Sequence, residues 1–161
     1  MTIKVLFVCL GNICRSPTAQ GVFTKMVVDK NLKGMIQADS AGTSNWHSGN
    51  EPDARAMAAA SAKGYDLSDL RARAVVVGDF EKFDFIMAMD RENLAILQTV
   101  CPKDYSGELA LFLDYAQDVD DDEVPDPYYE EVKGEGFLRV LTLVEKASEG
   151  LITHILRRHR L

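Results

Sequence analysis

A cysteine and an arginine, Cys9 and Arg15, are separated by five residues near the start of this 161-residue chain. They follow an apolar run at 3–8 that is typical of a buried strand. Ser16 and Pro17 come directly after the arginine, and a hydroxyl residue followed by proline is a common helix start. The pattern predicts a tight loop between a strand and the N-terminus of a helix.

Such a loop can act as an anion site that carries its own nucleophile. Loop N–H groups and the positive end of the helix dipole favour a bound anion, and Gly11 lets the backbone turn inward. The Arg15 guanidinium matches two oxygens of a phosphate, and the Ser16 hydroxyl can donate a hydrogen bond to a thiolate. Attack of Cys9 on phosphorus would give a cysteinyl-phosphate whose equatorial oxygens are bound by Arg15 and the loop.

The leaving group in this reaction needs a proton donor. The acidic stretch at 116–127 supplies candidates, and Asp126, which precedes Pro127, Tyr128 and Tyr129, has the best pattern. The stretch lacks the glycine and the closing glutamate of a calcium-binding loop. The chemistry requires no metal and no other cofactor, and none is predicted.

Apolar runs and helical spacing alternate along the rest of the chain. Strands are predicted at 3–8, 35–39, 83–89 and 108–113, and helices at 18–30, 52–63, 91–99 and 137–158. A short helix and an extended run are expected within 67–77. The alternation predicts a three-layer α/β fold with a central, roughly four-stranded parallel sheet and helices on both faces. Ligands bind such sheets at the C-terminal edge of the strands, where the loop after the first strand lies.

Length and composition limit the possible function classes. At this length the chain is expected to form one domain over 1–161, and the loop and acid predicted above would make it a single phosphatase domain. Its net charge of −7 argues against nucleic acid or an anionic membrane surface as a partner. The N-terminal apolar run is a poor signal peptide, and no stretch approaches the ~20 apolar residues that span a bilayer. Three cysteines do not suggest a secreted disulfide framework, so a cytoplasmic location is expected.

Four segments resemble motifs of the low-molecular-weight protein tyrosine phosphatases, and the resemblance covers nearly the whole chain. They are Cys9–Ser16, Asp39–Thr43, Met89–Asp90 followed by Asn93–Leu94, and Asp126–Tyr129. The resemblance implies that Cys9 is the nucleophile and Arg15 the phosphate-binding arginine. It makes Asp126 the general acid and, later, the general base.

The resemblance also implies supporting and substrate-binding residues. Asn12 is similar to the residue that maintains the shape of the loop, Ser16 to the donor to the thiolate, and Ser40 to a residue that supports the loop. The implied substrate-binding residues belong to the loop or flank the substrate ring: Leu10, Gly11, Asn12, Ile13, Cys14, Ser16, Trp46, Tyr128 and Tyr129. Cys14 also matches a second cysteine that forms a reversible disulfide with the nucleophile in relatives. Some relatives support the loop asparagine with a histidine, which this chain lacks around Ser68–Asp69.

Three other functions share parts of this pattern. Thioredoxin-coupled arsenate reductases share the loop but need a further pair of closely spaced cysteines, and only Cys101 follows Cys14. Phosphatases of phosphoarginine resemble this chain but tend to have threonine in place of Ile13 and lack the paired tyrosines. A non-catalytic phosphate-binding module has no use for Cys9 and Asp126 together. The prediction is therefore a phosphotyrosine-protein phosphatase, with phosphotyrosine-containing proteins or small aryl phosphates as substrates and a protein-arginine phosphatase or an arsenate reductase as the alternative.

Overall fold

The computed structural model describes residues 1–129 and 135–161. The strands are β1 (Ile3–Cys9), β2 (Ile36–Gly42), β3 (Phe85–Ala88) and β4 (Glu108–Leu111). The helices are α1 (Arg15–Asp29), α2 (Ala54–Ala62), α3 (Asp79–Lys82), α4 (Arg91–Val100) and α5 (Glu135–His159), and a 3₁₀ turn at Phe112–Tyr115 follows β4.

The four strands form one parallel sheet in the order β2-β1-β3-β4. At its C-terminal end, β1 pairs Cys9 with Gly42 of β2 and Val8 with Ala88 of β3. Because the strands are parallel, their C-terminal ends meet at one edge of the sheet, and the loop after β1 begins there. The predicted three-layer α/β fold with a four-stranded parallel sheet is confirmed.

Strand β1 is buried on both faces. Its alternating side chains enter two apolar cores, as the period of a strand requires. Phe7 belongs to the core that includes α1 and α5, and its ring makes edge contacts with Phe23 at 5.3 Å and Phe112 at 4.9 Å. Leu6 and Val8 belong to the opposite core, which includes residues of α3 and α4. Packing on both sides therefore fixes the strand that ends at Cys9.

Two local predictions are wrong. Helix α1 begins at Arg15, and Ser16 does not cap it: the N-cap is Cys14, which makes no side-chain cap hydrogen bond. Ser16 uses its hydroxyl differently, 3.0 Å from the sulfur of Cys9. Residues 67–77, all of which the structure describes, contain no helix; Ala74 makes an isolated bridge to Gly42, and the short helix α3 follows.

No helix in the described part of the chain is both long enough and apolar enough to cross a membrane.

Candidate active site

The loop after β1 surrounds the sulfur of Cys9 with hydrogen-bond donors. The backbone N–H of Asn12 donates to Sγ at 3.3 Å, and Oγ of Ser16 lies 3.0 Å from the same sulfur. Nδ2 of Asn12 donates to that hydroxyl oxygen at 2.7 Å, which leaves the hydroxyl hydrogen for the sulfur. The nearest competing acceptor, the carbonyl of Ala41, is farther away at 3.5 Å. Together with the N-terminus of α1, these donors stabilise negative charge on Cys9.

The side chain of Asn12 determines the shape of this loop. Its backbone adopts a positive φ of 57°, which asparagine tolerates better than most residues. Besides its bond to Ser16, Nδ2 donates to Oγ of Ser40 at 3.0 Å. Oδ1 accepts a hydrogen bond of 3.1 Å from the backbone N–H of Arg73. The oxygen of the Asn12 side chain is therefore bound by a main-chain group.

The two groups outside the loop and α1 that bind the Asn12 side chain, Ser40 and Arg73, are themselves anchored. The Arg73 guanidinium lies 3.1 Å from Asp79 and 3.1 Å from Asp39. Although partial burial lowers the pKa of Arg73, these two carboxylates outweigh it and raise that pKa above its usual value. The hydroxyl of Ser40 donates to Oε1 of Gln20 at 2.6 Å. The shape of the loop is therefore tied to β2, to α1 and to the segment before α3.

Gly42 allows the loop to pass close to the end of β2. The N–H groups of Thr43 and Ser44 bind the carbonyls of Cys9 and Leu10, at 2.9 Å and 3.0 Å. A Cβ atom at Gly42 would lie 2.7 Å from the carbonyl oxygen of Leu10. Only glycine fits this approach without displacing the loop.

Arg15 is held in one orientation beneath the pocket. Its side chain is 3% exposed, and Nη1 donates to Asp90 at 2.6 Å and to the carbonyl of Val124 at 3.1 Å. Its Nη2 lies 3.6 Å from Oδ2 of Asp126. Burial lowers the pKa of Arg15, but Cys9, Asp90 and Asp126 outweigh it and raise the pKa, so the guanidinium stays charged.

These residues surround one open pocket at the C-terminal edge of the sheet. Its lining comprises Cys9, Leu10, Gly11, Ile13, Cys14, Arg15, Trp46, His47, Asp126, Tyr128 and Tyr129. Trp46 and Tyr129 stand at the mouth, 73% and 72% exposed, and the ring of Tyr129 meets that of Tyr128 edge-on at 5.0 Å. Aromatic side chains thus form the entrance, while a thiol, a guanidinium and a carboxylate lie inside.

Comparison with known proteins identifies the family. The family model described as low molecular weight phosphotyrosine protein phosphatase matches residues 4–161. The chain belongs to this family. A low-molecular-weight protein tyrosine phosphatase of Bacillus subtilis is 39% identical over 159 residues, which are 99% of each chain.

Solved structures agree with that assignment. The crystal structure of a protein tyrosine phosphatase from Entamoeba histolytica, with Hepes in its active site, superposes with a TM-score of 0.92. It is 39% identical, and the match covers 99% of this chain and 100% of the other. A Drosophila arginine phosphatase superposes with a TM-score of 0.88 at 31% identity, covering 95% of this chain and 98% of its own.

The structure of this phosphatase separates the predicted residues into two groups. Asn12, Ser16 and Ser40 do not line the pocket, whereas the other predicted site residues do. Asn12 and Ser16 would therefore affect a bound ligand by shaping the loop and not by lining the pocket.

Two residues near the pocket were not predicted. His47 lines the pocket close enough to Gly11 that a Cβ there would lie 3.0 Å from its ring. Its only sequence signal was its position beside Trp46. Asp90, which orients Arg15, also caps α4 through a 2.8 Å bond from the N–H of Asn93. Asp90 belongs to the Met89–Asp90 segment that resembles a family motif, but no role was predicted for it.

The two cysteines of the loop differ in their surroundings. Cys14 is 5% exposed; burial, reinforced by the negative charge of Asp53, raises the pKa of its thiol far above the ordinary value. Cys14 is therefore a neutral thiol at physiological pH. Cys9 is the sulfur that the loop donors surround.

Replacing Asn12 by glycine tests the role of its amide, because glycine keeps the positive φ accessible and removes only the side-chain bonds. Each lost bond contributes about 1 kcal/mol, so we expect kcat/KM for an aryl phosphate to fall roughly tenfold or more. Steady-state kinetics and the inhibition constant of inorganic phosphate measure the effect.

The matched control is Asn31→Gly, because Asn31 also has a positive φ (59°) but is exposed at the end of α1. This variant should keep wild-type kcat/KM. Wild-type kcat/KM in Asn12→Gly would contradict the role assigned to the amide.

Proposed function

We propose that this phosphatase hydrolyses phosphotyrosine in proteins, and small aryl phosphates, through a cysteinyl-phosphate on Cys9. One observation carries the proposal: the Cys9 sulfur, the Arg15 guanidinium and the Asp126 carboxylate line the same pocket. Arg15 and Asp126 lie 3.6 Å apart, close enough to act on one phosphate ester, Arg15 at the phosphoryl oxygens and Asp126 at the leaving oxygen.

In the first step, the thiolate of Cys9 attacks phosphorus, and the bond from phosphorus to the phenolic oxygen breaks. Arg15 and the N–H groups of the loop stabilise the charge on the three equatorial oxygens. The carboxylic acid of Asp126 transfers its proton to the departing phenolate. The products of this step are the free phenol, the cysteinyl-phosphate and the Asp126 carboxylate.

In the second step, the same carboxylate accepts a proton from a water molecule, which attacks phosphorus. The bond between phosphorus and sulfur breaks, inorganic phosphate leaves, and the thiolate of Cys9 is restored. Asp126 is again protonated, so the cycle consumes only one phosphate ester and one water.

The walls of the pocket favour an aryl substrate. Trp46, Tyr128 and Tyr129 offer ring faces and edges to a phenyl ring at the mouth. Ile13, which is 9% exposed, adds an apolar surface to the lining. A phosphoarginine would need partners for its guanidino nitrogen atoms, which these four side chains supply poorly.

The domain and its compartment are part of the same proposal. The residues of the site come from segments more than a hundred positions apart in the sequence, which supports one phosphatase domain over 1–161. A thiol nucleophile requires a reducing environment, and the three cysteines are free, which supports a cytoplasmic location. A redox disulfide between Cys9 and Cys14 stays a prediction.

Replacing Asp126 by alanine tests the acid role. We expect kcat/KM for phenyl phosphate to fall about 100-fold or more, because a basic phenolate needs the proton. The loss should be several-fold smaller for para-nitrophenyl phosphate, whose leaving group is a far weaker base. Equal losses for both esters would contradict the acid role.

The matched control is Asp66→Ala. Asp66 accepts a backbone bond from the residue two positions on, at 2.9 Å, as Asp126 does from Tyr128 at 3.0 Å. It does not line the pocket, so its loss should leave both rates unchanged.

Peptides carrying phosphotyrosine, phosphoserine or phosphoarginine test the substrate class. We expect kcat/KM for the phosphotyrosine peptide to exceed the other two by about 100-fold or more, because only its ring reaches the aromatic mouth. Phosphate release measured side by side decides between the candidates. A preference for phosphoarginine would replace the tyrosine assignment, and Ile13→Thr would then be expected to increase it.

A further inference from the structure

Arg55, in the first turn of α2, connects the nucleophile loop with the segment that carries Asp126. Sequence patterns gave it no role, and it does not line the pocket. Its contacts nevertheless reach Asp53 on one side and both Tyr128 and Phe137 on the other.

The first group of contacts ties Arg55 to the nucleophile loop. Its Nε lies 3.1 Å from Oδ1 of Asp53, and its Nη2 lies 2.9 Å from Oδ2. Asp53 is the N-cap of α2, and its backbone N–H donates to the carbonyl of Ile13 at 2.8 Å. One end of the connection is therefore a main-chain atom within the loop that surrounds Cys9.

The second group of contacts ties Arg55 to the acid. Its Nη2 donates to the carbonyl of Tyr128 at 3.0 Å, and its guanidinium lies 5.6 Å from the centre of that ring. The N–H of Tyr128 donates in turn to Oδ1 of Asp126 at 3.0 Å. The guanidinium also lies 4.7 Å from the centre of the Phe137 ring at the start of α5.

We propose that Arg55 is a positioning residue for Asp126: it sets the distance between the acid segment and the nucleophile loop. The proposal rests on the acid role of Asp126 in the proposed function. Proton transfer requires the carboxyl group within hydrogen-bond reach of the leaving oxygen, and an error of 1 Å can cost about 100-fold in rate.

Geometry rather than charge makes arginine suitable here. The Arg55 side chain is 44% exposed, so its ion pair with Asp53 stabilises the fold little by itself. Its planar fork bonds a carboxylate and a carbonyl at once while its face stacks on aromatic rings. Lysine has the charge but neither the fork nor the face.

The test compares Arg55→Ala with the wild type on two esters. We expect kcat/KM for phenyl phosphate to fall about tenfold and for para-nitrophenyl phosphate about twofold or less, because only the first needs a well-placed acid. In an Asp126→Ala background, Arg55→Ala should cost no more than about twofold for either ester. A structural defect alone would lower both rates equally.

Arg55→Lys provides a second variant that keeps the charge. Because lysine lacks the fork and the stacking face, this variant should show the same selectivity for the leaving group and nearly the same loss as Arg55→Ala. Arg158→Ala is the matched control, because Arg158 is an exposed arginine paired with Glu108 at 3.2 Å and does not line the pocket. Its rates should equal those of the wild type.

The outcomes separate this proposal from the function on which it rests. If Asp126→Ala is selective for the leaving group and Arg55→Ala is not, the positioning role is wrong and the function stands. A full additional loss from Arg55→Ala in the Asp126→Ala background would also overturn the positioning role. If Asp126→Ala itself shows no selectivity, the acid role fails, and the positioning role fails with it.

Discussion

The amide of Asn12 is the constraint on which the active site depends. It binds the hydroxyls of Ser16 and Ser40 and the main chain of Arg73 from a position that is only 2% exposed. These bonds offset the cost of its left-handed backbone, which turns its own N–H toward the sulfur of Cys9. Without these side-chain hydrogen bonds, the loop would lose the contacts that keep its donors directed at the Cys9 sulfur.

The site also resolves an electrostatic conflict. The chain carries a net charge of −7, yet its proposed ligand is an anion. The helix N-terminus, the loop N–H groups and the buried Arg15 produce a local positive region, and Asp90 keeps that guanidinium in place. Asp126 must lie close enough to the substrate to donate a proton, but it must not pair so tightly with Arg15 that it displaces the phosphate. Its distance of 3.6 Å from Nη2 of Arg15 is longer than the 2.6 Å between Nη1 and Asp90. The shorter pair, to Asp90, orients Arg15.

The sequence predicted the parts of the site that are set by local spacing. Cys9 and Arg15 follow a strand and precede a helix, so their place at the sheet edge comes from chain order and the parallel topology. The four-stranded sheet was predictable for the same reason, since alternating strands and helices permit few arrangements. Asp126 was predicted only from its sequence pattern with the two tyrosines. Local spacing does not show that residues over a hundred positions apart lie together in the fold.

The contacts that local patterns missed depend on tertiary distance. Arg73 binds Asn12 through its backbone N–H, which any residue except proline could supply, so its side-chain type does not reveal that contact. In the sequence, Arg55 resembles an ordinary surface residue of a helix. Only the structure shows its contacts with Tyr128. Ser16 was predicted both as a helix cap and as a donor to the thiolate, because both roles use the same hydroxyl, and only the position of Cys9 decides between them.

The central claim is that Cys9 becomes phosphorylated during turnover. Mixing the protein with a phosphotyrosine peptide, denaturing it within milliseconds in alkaline detergent and mapping its peptides by mass spectrometry tests this directly. We expect phosphate on the sulfur of Cys9, distinguished from Cys14 by fragment ions, and no phosphate in Cys9→Ser. Turnover without a phosphorylated intermediate, or with phosphate on another residue, would contradict it.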